Sequence, residues 1–179
     1  MLELAILGLL AESPMHGYEL RKRLSTTLGA FRALSYGSLY PTLRKLRDAG
    51  WISEEEPQLP VEGLSRRGKR VYQLTAEGKE HFGELLAEVS PQAFDDEGFG
   101  TRLAFFAQTR PDIRLQILEG RRQRVQEQRD GMSTSLHRTR SKLDRYTLQL
   151  QEHGLESSDR EVRWLTELIA HERSSPSAD

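Results

Sequence analysis

Tyr36-Gly37-Ser38-Leu39-Tyr40-Pro41-Thr42-Leu43-Arg44-Lys45-Leu46-Arg47-Asp48-Ala49-Gly50-Trp51-Ile52 is the stretch that decides the fold. Leu39, Leu43 and Leu46 recur at helical spacing, so the segment from about Gly37 to Ala49 predicts a short amphipathic helix. Pro41 falls in or near its first turn, where a missing N–H costs least, and Gly50 closes it. At about 100° per residue the three leucines face inward. Ser38, Pro41, Arg44, Lys45 and Asp48 then face outward, with Tyr40 and Thr42 on the flanks.

Working outward, Leu2 to Ala11 is apolar nearly all round and predicts a buried helix, ended by Ser13-Pro14. A second helix starts near His16, carries Leu20, Leu24 and Leu28 inward, and has Gly29 as its C-cap. On the other side, Trp51-Ile52 begins a strand that leads into the acidic turn Glu54-Glu55-Glu56-Pro57. Arg66-Arg67-Gly68-Lys69-Arg70 is a basic hairpin tip, and Val71-Tyr72-Gln73-Leu74 returns as an alternating strand. Thr75 is placed to cap a fourth helix bearing Phe82, Leu85, Leu86 and Val89. Three helices, a small β-hairpin and another helix spell a winged helix-turn-helix over residues 1–90.

The chain has 179 residues, 26 basic and 27 acidic, with 36% hydrophobic and 30% charged residues. That is enough for one compact domain with an extension. The net charge of −1 hides an uneven distribution: Met15–Thr75 holds 11 Lys/Arg against 6 Asp/Glu, so the rest of the chain is acidic. With no cysteine there are no disulfides, thiolate metal sites or cysteine nucleophiles. No run approaches the ~18 apolar residues of a membrane span, and no basic segment follows Met1. The expectation is a cytoplasmic protein without a membrane partner.

His16-Gly17-Tyr18-Glu19-Leu20, Tyr36 to Leu43, Gly50-Trp51-Ile52, and Lys69-Arg70-Val71-Tyr72 with Leu74-Thr75-Ala76-Glu77-Gly78 are four ordered blocks. Together they resemble the PadR family of bacterial transcription regulators, over roughly the first ninety residues. The departures are small: Val71 where an aromatic is common, and Trp51 where leucine is usual. The resemblance implies a homodimeric repressor that occupies a pseudo-palindromic site on double-stranded DNA and answers to a small-molecule effector.

In a helix-turn-helix the second helix of the motif enters the major groove. Ser38 and Thr42 are expected to bond phosphate or base, and Arg44 and Lys45 to supply charge, Arg44 being suited to a bidentate guanine contact. Tyr36 and Tyr40 are candidates for positioning phosphate. Arg66, Arg67, Lys69 and Arg70 are placed to clamp backbone as a wing. Blander readings stand beside these. A basic tip is more often a solvated turn, Tyr40 serves equally as core filler, and Asp48 pairs locally with Lys45 or Arg44.

Residues 91–173 read as a helical, coiled-coil-like dimerisation arm, and 174–179 as a disordered tail. Phe99, Leu103 and Phe106 predict a short helix from about Asp95 to Thr109. A long helix is expected from Ile113 to His153, capped by Asp112, with a seam through Leu118, Val125, Met132, Leu136, Leu143, Tyr146 and Leu150. Gly120 and Gly131 weaken that reading, and Gly154 ends the helix. Ser158-Asp159-Arg160-Glu161 is a capping box for a last helix with Val162, Leu165, Leu168 and Ile169 on its apolar face. The dimerisation candidates are Leu136, Leu143, Tyr146, Leu150, Val162, Leu165, Leu168 and Ile169. Trp164, Phe105, Phe106 and Tyr146 are the effector candidates, with dimer core as the plainer role of all four. The Arg121, Arg122, Arg124 and Arg129 strip reads as a solvated face.

No enzyme is expected. Ser38 lacks the glycine of a nucleophile elbow, Gly98-Phe99-Gly100 lacks the strand and last glycine of a dinucleotide loop, and the five histidines are scattered. Neither a cofactor nor a metal is implied. The alternative from another class is a winged-helix interaction module that docks a protein through its C-terminal helices.

Overall fold

The computed structural model describes residues 1–28, 38–55 and 70–174. Tyr36, Arg66, Arg67 and Lys69 lie outside the described residues, as does the expected Gly29 cap. The contacts divide the chain into two units that interleave in sequence. One comprises Met1–Glu88 and Asp96–Thr109, the other Val89–Asp95 and Arg110–Asp179.

In the first unit α1 (Leu2–Glu12) is the central helix, buried from Leu4 through Leu10. It packs against α2 (Gly17–Leu28), α3 (Leu39–Asp48) and α4 (Ala76–Ala87). β1 (Met15–His16), β2 (Ile52–Glu55) and β3 (Val71–Leu74) form an antiparallel sheet in the order β1-β3-β2. Ile52 pairs Leu74, Glu55 pairs Val71 and Met15 pairs Tyr72. The expected hairpin is present, but β1 adds a third strand. Two residues are too few to show an alternation, so β1 left no trace in the hydrophobic pattern. This order of helices and strands is a winged helix-turn-helix.

Two local devices set α3 against the sheet. The α3 C-terminus closes in a Schellman motif: Trp51 N–H donates to the Leu46 carbonyl at 3.0 Å and Gly50 N–H to Arg47 at 2.9 Å. That requires the left-handed backbone of Gly50, at φ 79°. Thr75 then ties the turn to α4. Its Oγ1 donates to the Gly50 carbonyl at 2.7 Å and accepts from Gly78 N–H at 3.0 Å, confirming the expected cap. Gly78 has no alternative, since a Cβ there would sit 1.9 Å from the Trp51 carbonyl oxygen.

The second half departs from expectation in several places. The boundary expected at residue 90 is displaced, because α5 (Asp96–Ala104) and the 3-10 turn Phe106–Gln108 belong to the first unit. Phe105 is the cause: it fills the space left by Gly8 and meets Phe82 edge-on, its ring centroid 6.4 Å away. Arg102 is buried below it and donates to the last-turn carbonyls of α4, Leu85 and Leu86. Burial lowers its guanidinium pKa.

In the second unit α6 (Pro111–Thr139) and α7 (Arg145–Ser174) pack as an antiparallel hairpin. Arg114 pairs with Glu172, Arg121 with Glu161, Arg129 with Asp159 and Arg140 with Glu152. The expected unbroken helix to His153 stops at Thr139, and a 3-10 turn over Arg140–Lys142 makes the corner. Asp144 starts α7: its Oδ1 accepts from Tyr146 N–H at 2.9 Å and Thr147 N–H at 3.1 Å. The capping box at Ser158 does not form, because α7 runs straight through Gly154 and the Ser158 hydroxyl donates to the Gly154 carbonyl at 3.1 Å. Asp112 is no cap either; it lies inside α6 and pairs with Arg110. Ser174, expected in the tail, ends α7, and the other residues of the expected tail lie outside the described residues. Gly120 is tolerated mid-helix because the Phe94 ring occupies the place of its Cβ, 2.6 Å away.

Candidate nucleic-acid interface

The geometry of α3 follows its leucine spacing. Leu39, Leu43 and Leu46 are 3%, 1% and 1% exposed, so the helix cannot rotate about its axis without baring them. That fixes what it turns outward: Ser38, Pro41, Arg44, Lys45 and Asp48 are all exposed, as the helical wheel predicts. Thr42 is half-buried, and its hydroxyl donates to the Ser38 carbonyl at 2.8 Å. Its proton is therefore engaged, and the hydroxyl is left to accept from a base N–H rather than donate to a phosphate. Tyr40 is half-buried against the core, so filler and surface roles are combined in one side chain.

Behind this face lies a polar cluster that pattern reading missed. Arg47 on α3 has both edges of its guanidinium engaged. Nε and Nη2 donate to Asp48 Oδ1 at 3.1 and 2.9 Å, and Nη1 donates to Glu54 Oε2 at 3.1 Å. Asp48 thus pairs with Arg47, not with the expected Lys45 or Arg44. Glu54 on β2 also receives Arg70, at the start of β3. Its side chain is 11% exposed, against 39% for each arginine. Tyr40, Arg44, Arg47, Glu54, Arg70 and Tyr72 line a cavity of about 170 Å³. Burial raises the Tyr72 hydroxyl pKa, with Arg70 pulling the other way, so it remains a neutral donor.

A second cationic surface lies on α2, where Tyr18, Arg21, Lys22, Ser25 and Thr26 line a shallow concavity of about 300 Å³. Tyr18 is 56% exposed. The first helix of a helix-turn-helix crosses the phosphate backbone, which is what an exposed tyrosine beside two cations suits. The signal was available in the sequence, since Tyr18, Lys22 and Ser25 sit opposite Leu20, Leu24 and Leu28. On the neighbouring edge Arg23 is neutralised by Glu12 and Glu19.

Comparison with known proteins agrees with this geometry. Residues 6–84, the span from α1 through α4, match the model of the transcriptional regulator PadR-like family. Over that span the chain is similar to the PadR-like family. The negative transcriptional regulator PadR of Bacillus subtilis is 32% identical over 91 residues, which cover 51% of this chain and 48% of that protein. The chain therefore aligns with about half the length of that curated relative. Among solved structures, Bacillus subtilis PadR in complex with operator DNA is 22% identical, with a TM-score of 0.46 and coverage of 96% and 98%. The same protein in complex with p-coumaric acid gives 22% identity, a TM-score of 0.44 and coverage of 97% and 99%.

The remaining candidates fall as follows. Leu136, Leu165 and Ile169 are buried in the chain's own α6–α7 hairpin. Leu143, Val162 and Leu168 are half-buried, whereas Tyr146 and Leu150 are 82% and 67% exposed. Of the effector candidates, Phe105 is core of the first unit, Phe106 is half-buried beside it, and Trp164 stands on α7 at 37% exposure. Arg121, expected on a solvated strip, is buried between Glu161 and the Phe94 carbonyl. The PadR-like family consists of transcriptional regulators, and no helix among the described residues is long and apolar enough to cross a membrane.

Proposed function

We propose that the chain is a sequence-specific DNA-binding transcriptional regulator, a repressor that acts as a homodimer on a pseudo-palindromic promoter site. The observation that carries this reading is the outward face of α3, where exposed Arg44 and Lys45 stand over a locked leucine stripe. Arg44, Lys45 and Ser38 approach base edges in the major groove, while Tyr40 and the α2 face, through Tyr18 and Lys22, hold phosphates. Tyr36 and the basic segment Arg66, Arg67, Lys69 and Arg70 extend the same footprint. The first unit, Met1–Glu88 with Asp96–Thr109, carries DNA binding, and the second carries association. Tyr146, Leu150 and Trp164 lie on one stripe of α7, since 146 and 164 are five helical turns apart. Exposed apolar side chains on a single face suit a second copy of the chain.

The related PadR binds operator DNA and p-coumaric acid. By that likeness a small aromatic acid is the effector class, with Trp164 the candidate contact. The protein works in the cytoplasm, without enzymatic activity.

Fluorescence anisotropy against the DNA upstream of its gene and a scrambled duplex, over a salt series, tests the proposal. The expected result is a specific site bound ~10³-fold more tightly, with a steep salt slope. Lys45→Ala should weaken binding in a sequence-dependent way; a uniform loss would make it a phosphate contact. Equal, weak binding to both duplexes would favour a protein-docking module working through the C-terminal helices.

A further inference from the structure

We infer that Glu54 sets specificity by withholding Arg47 and Arg70 from phosphates on non-cognate duplex. This rests on the DNA-binding reading of α3. Arg47 and Arg70 stand behind the recognition face and line the same cavity as Arg44. In the unbound protein both are already ion-paired, though each side chain stays 39% exposed. Both edges of the Arg47 guanidinium are filled by Asp48 and Glu54, and Arg70 is held by the other oxygen of Glu54. Two cations and two anions cancel, leaving Arg44 and Lys45 as the α3 cations outside this network.

The consequence is selective because the two modes of binding use charge differently. Non-cognate binding is almost wholly phosphate neutralisation, and any mobile cation within reach adds to it. Cognate binding is held in register by base contacts, which decide which cations meet phosphate. Glu54 is nearly enclosed and pairs with two arginines at once, so drawing either one out strands a poorly hydrated carboxylate. A loosely docked duplex does not compensate that loss. Glu54 therefore lowers the non-cognate floor more than the cognate affinity. Asp48, at 67% exposure, cannot do the same alone, because water replaces its partner readily.

The test is the salt dependence of full-length protein on a cognate and a random duplex, for wild type, Glu54→Gln, Arg47→Gln and the double variant. Glutamine keeps the shape of Glu54 and one acceptor oxygen, but its NH2 cannot accept from the second arginine, so the charge and one of the two arginine bonds are lost together. The expected result for Glu54→Gln is several-fold tighter random-duplex binding, a salt slope steeper by about 0.9 to 1.8, and a lower cognate-to-random ratio. Arg47→Gln alone should change random-duplex binding less than about twofold, yet remove about half of the gain in the Glu54→Gln background. Unchanged or weaker random-duplex binding by Glu54→Gln overturns the inference. So does a slope loss of about 0.9 from Arg47→Gln alone, which needs only that one well-folded variant. Should the wild type bind neither duplex at any salt, the DNA-binding reading itself falls and the inference goes with it.

Discussion

The two units solve the problem of holding helices together in different ways. The first buries a continuous apolar cluster from Leu4 to Leu86 that includes Phe105, and the ends of α3 and β2 are closed by specific turns. The second is a two-helix hairpin whose apolar contacts are few (Ile113, Ile117, Leu118, Val125, Leu136, Leu165 and Ile169) and whose edges are laced by Arg–Glu and Arg–Asp pairs. The exposed Arg129–Asp159 pair contributes at most about 1 kcal/mol, and in the more enclosed Arg114–Glu172 and Arg121–Glu161 pairs desolvation offsets much of the attraction. The hairpin therefore depends on a handful of buried side chains, whereas the winged helix distributes its stability.

Truncation within that handful should give the largest effect. Leu165 is fully buried on α7, and Leu165→Ala is expected to cost about 3 kcal/mol in urea-induced unfolding. A loss under ~1 kcal/mol would mean the ion pairs, not the apolar seam, hold the hairpin.

Next come the glycines, which separate rigid from yielding neighbours. Gly78→Ala drives a Cβ into the Trp51 carbonyl, a backbone atom fixed by the α3 turn, and should destabilise by about 3 kcal/mol. Gly120→Ala meets only the tip of the Phe94 ring, and the better helix propensity of alanine offsets part of the strain, so about 1 kcal/mol is expected. Equal thermal shifts for the two would erase the distinction between the units.

The smallest effects compare two helix caps. Thr75→Ala removes both a cap and the bond to Gly50, for about 1 kcal/mol by denaturant titration. Asp144 should reveal itself by pH instead. Its carboxyl is held below the usual carboxylate range, chiefly by the Thr147 hydroxyl and then by backbone N–H groups of Thr147 and Tyr146. A depressed folded pKa means that its stabilisation is present above the unfolded carboxylate pKa and is lost as pH falls through the folded one. Amide protection at the α7 N-terminus, corrected for the intrinsic pH dependence of exchange, should fall over that acidic window in wild type and not in Asp144→Asn.

Those caps also show what was legible in the sequence. Thr75 stood between a strand and a helical repeat, where a cap has only one place to go. Asp144-Arg145-Tyr146-Thr147 carries an equally good capping pattern, but Leu136, Leu143 and Leu150 continue in sevens across it and conceal the corner. Ser158 misled for the complementary reason: a polar run inside a surface helix looks like a start. The recognition face was readable because a leucine stripe determines its own opposite side. Arg47 was not, since its second partner lies on a strand beyond the Gly50 turn, and no periodicity reports a contact of that kind. Phe105 was displaced by its neighbours: Phe99, Leu103 and Phe106 make the tidier helical stripe, while the side chain buried under Gly8 falls just past the helix end.

The interleaving of the two units has a practical consequence for anyone who wishes to divide the molecule. Val89–Asp95 leaves the first unit, contributes Phe94 to the second, and the chain then returns through Asp96–Thr109 before departing again. A fragment cut at residue 90 would lose Phe99, Arg102 and Phe105 and open a hole beneath α1. One cut at residue 109 keeps them but leaves Phe94 without Gly120 and Arg121 to receive it. The first unit cannot be separated from the second with a single cut, and exchanging the second unit calls for three junctions rather than one.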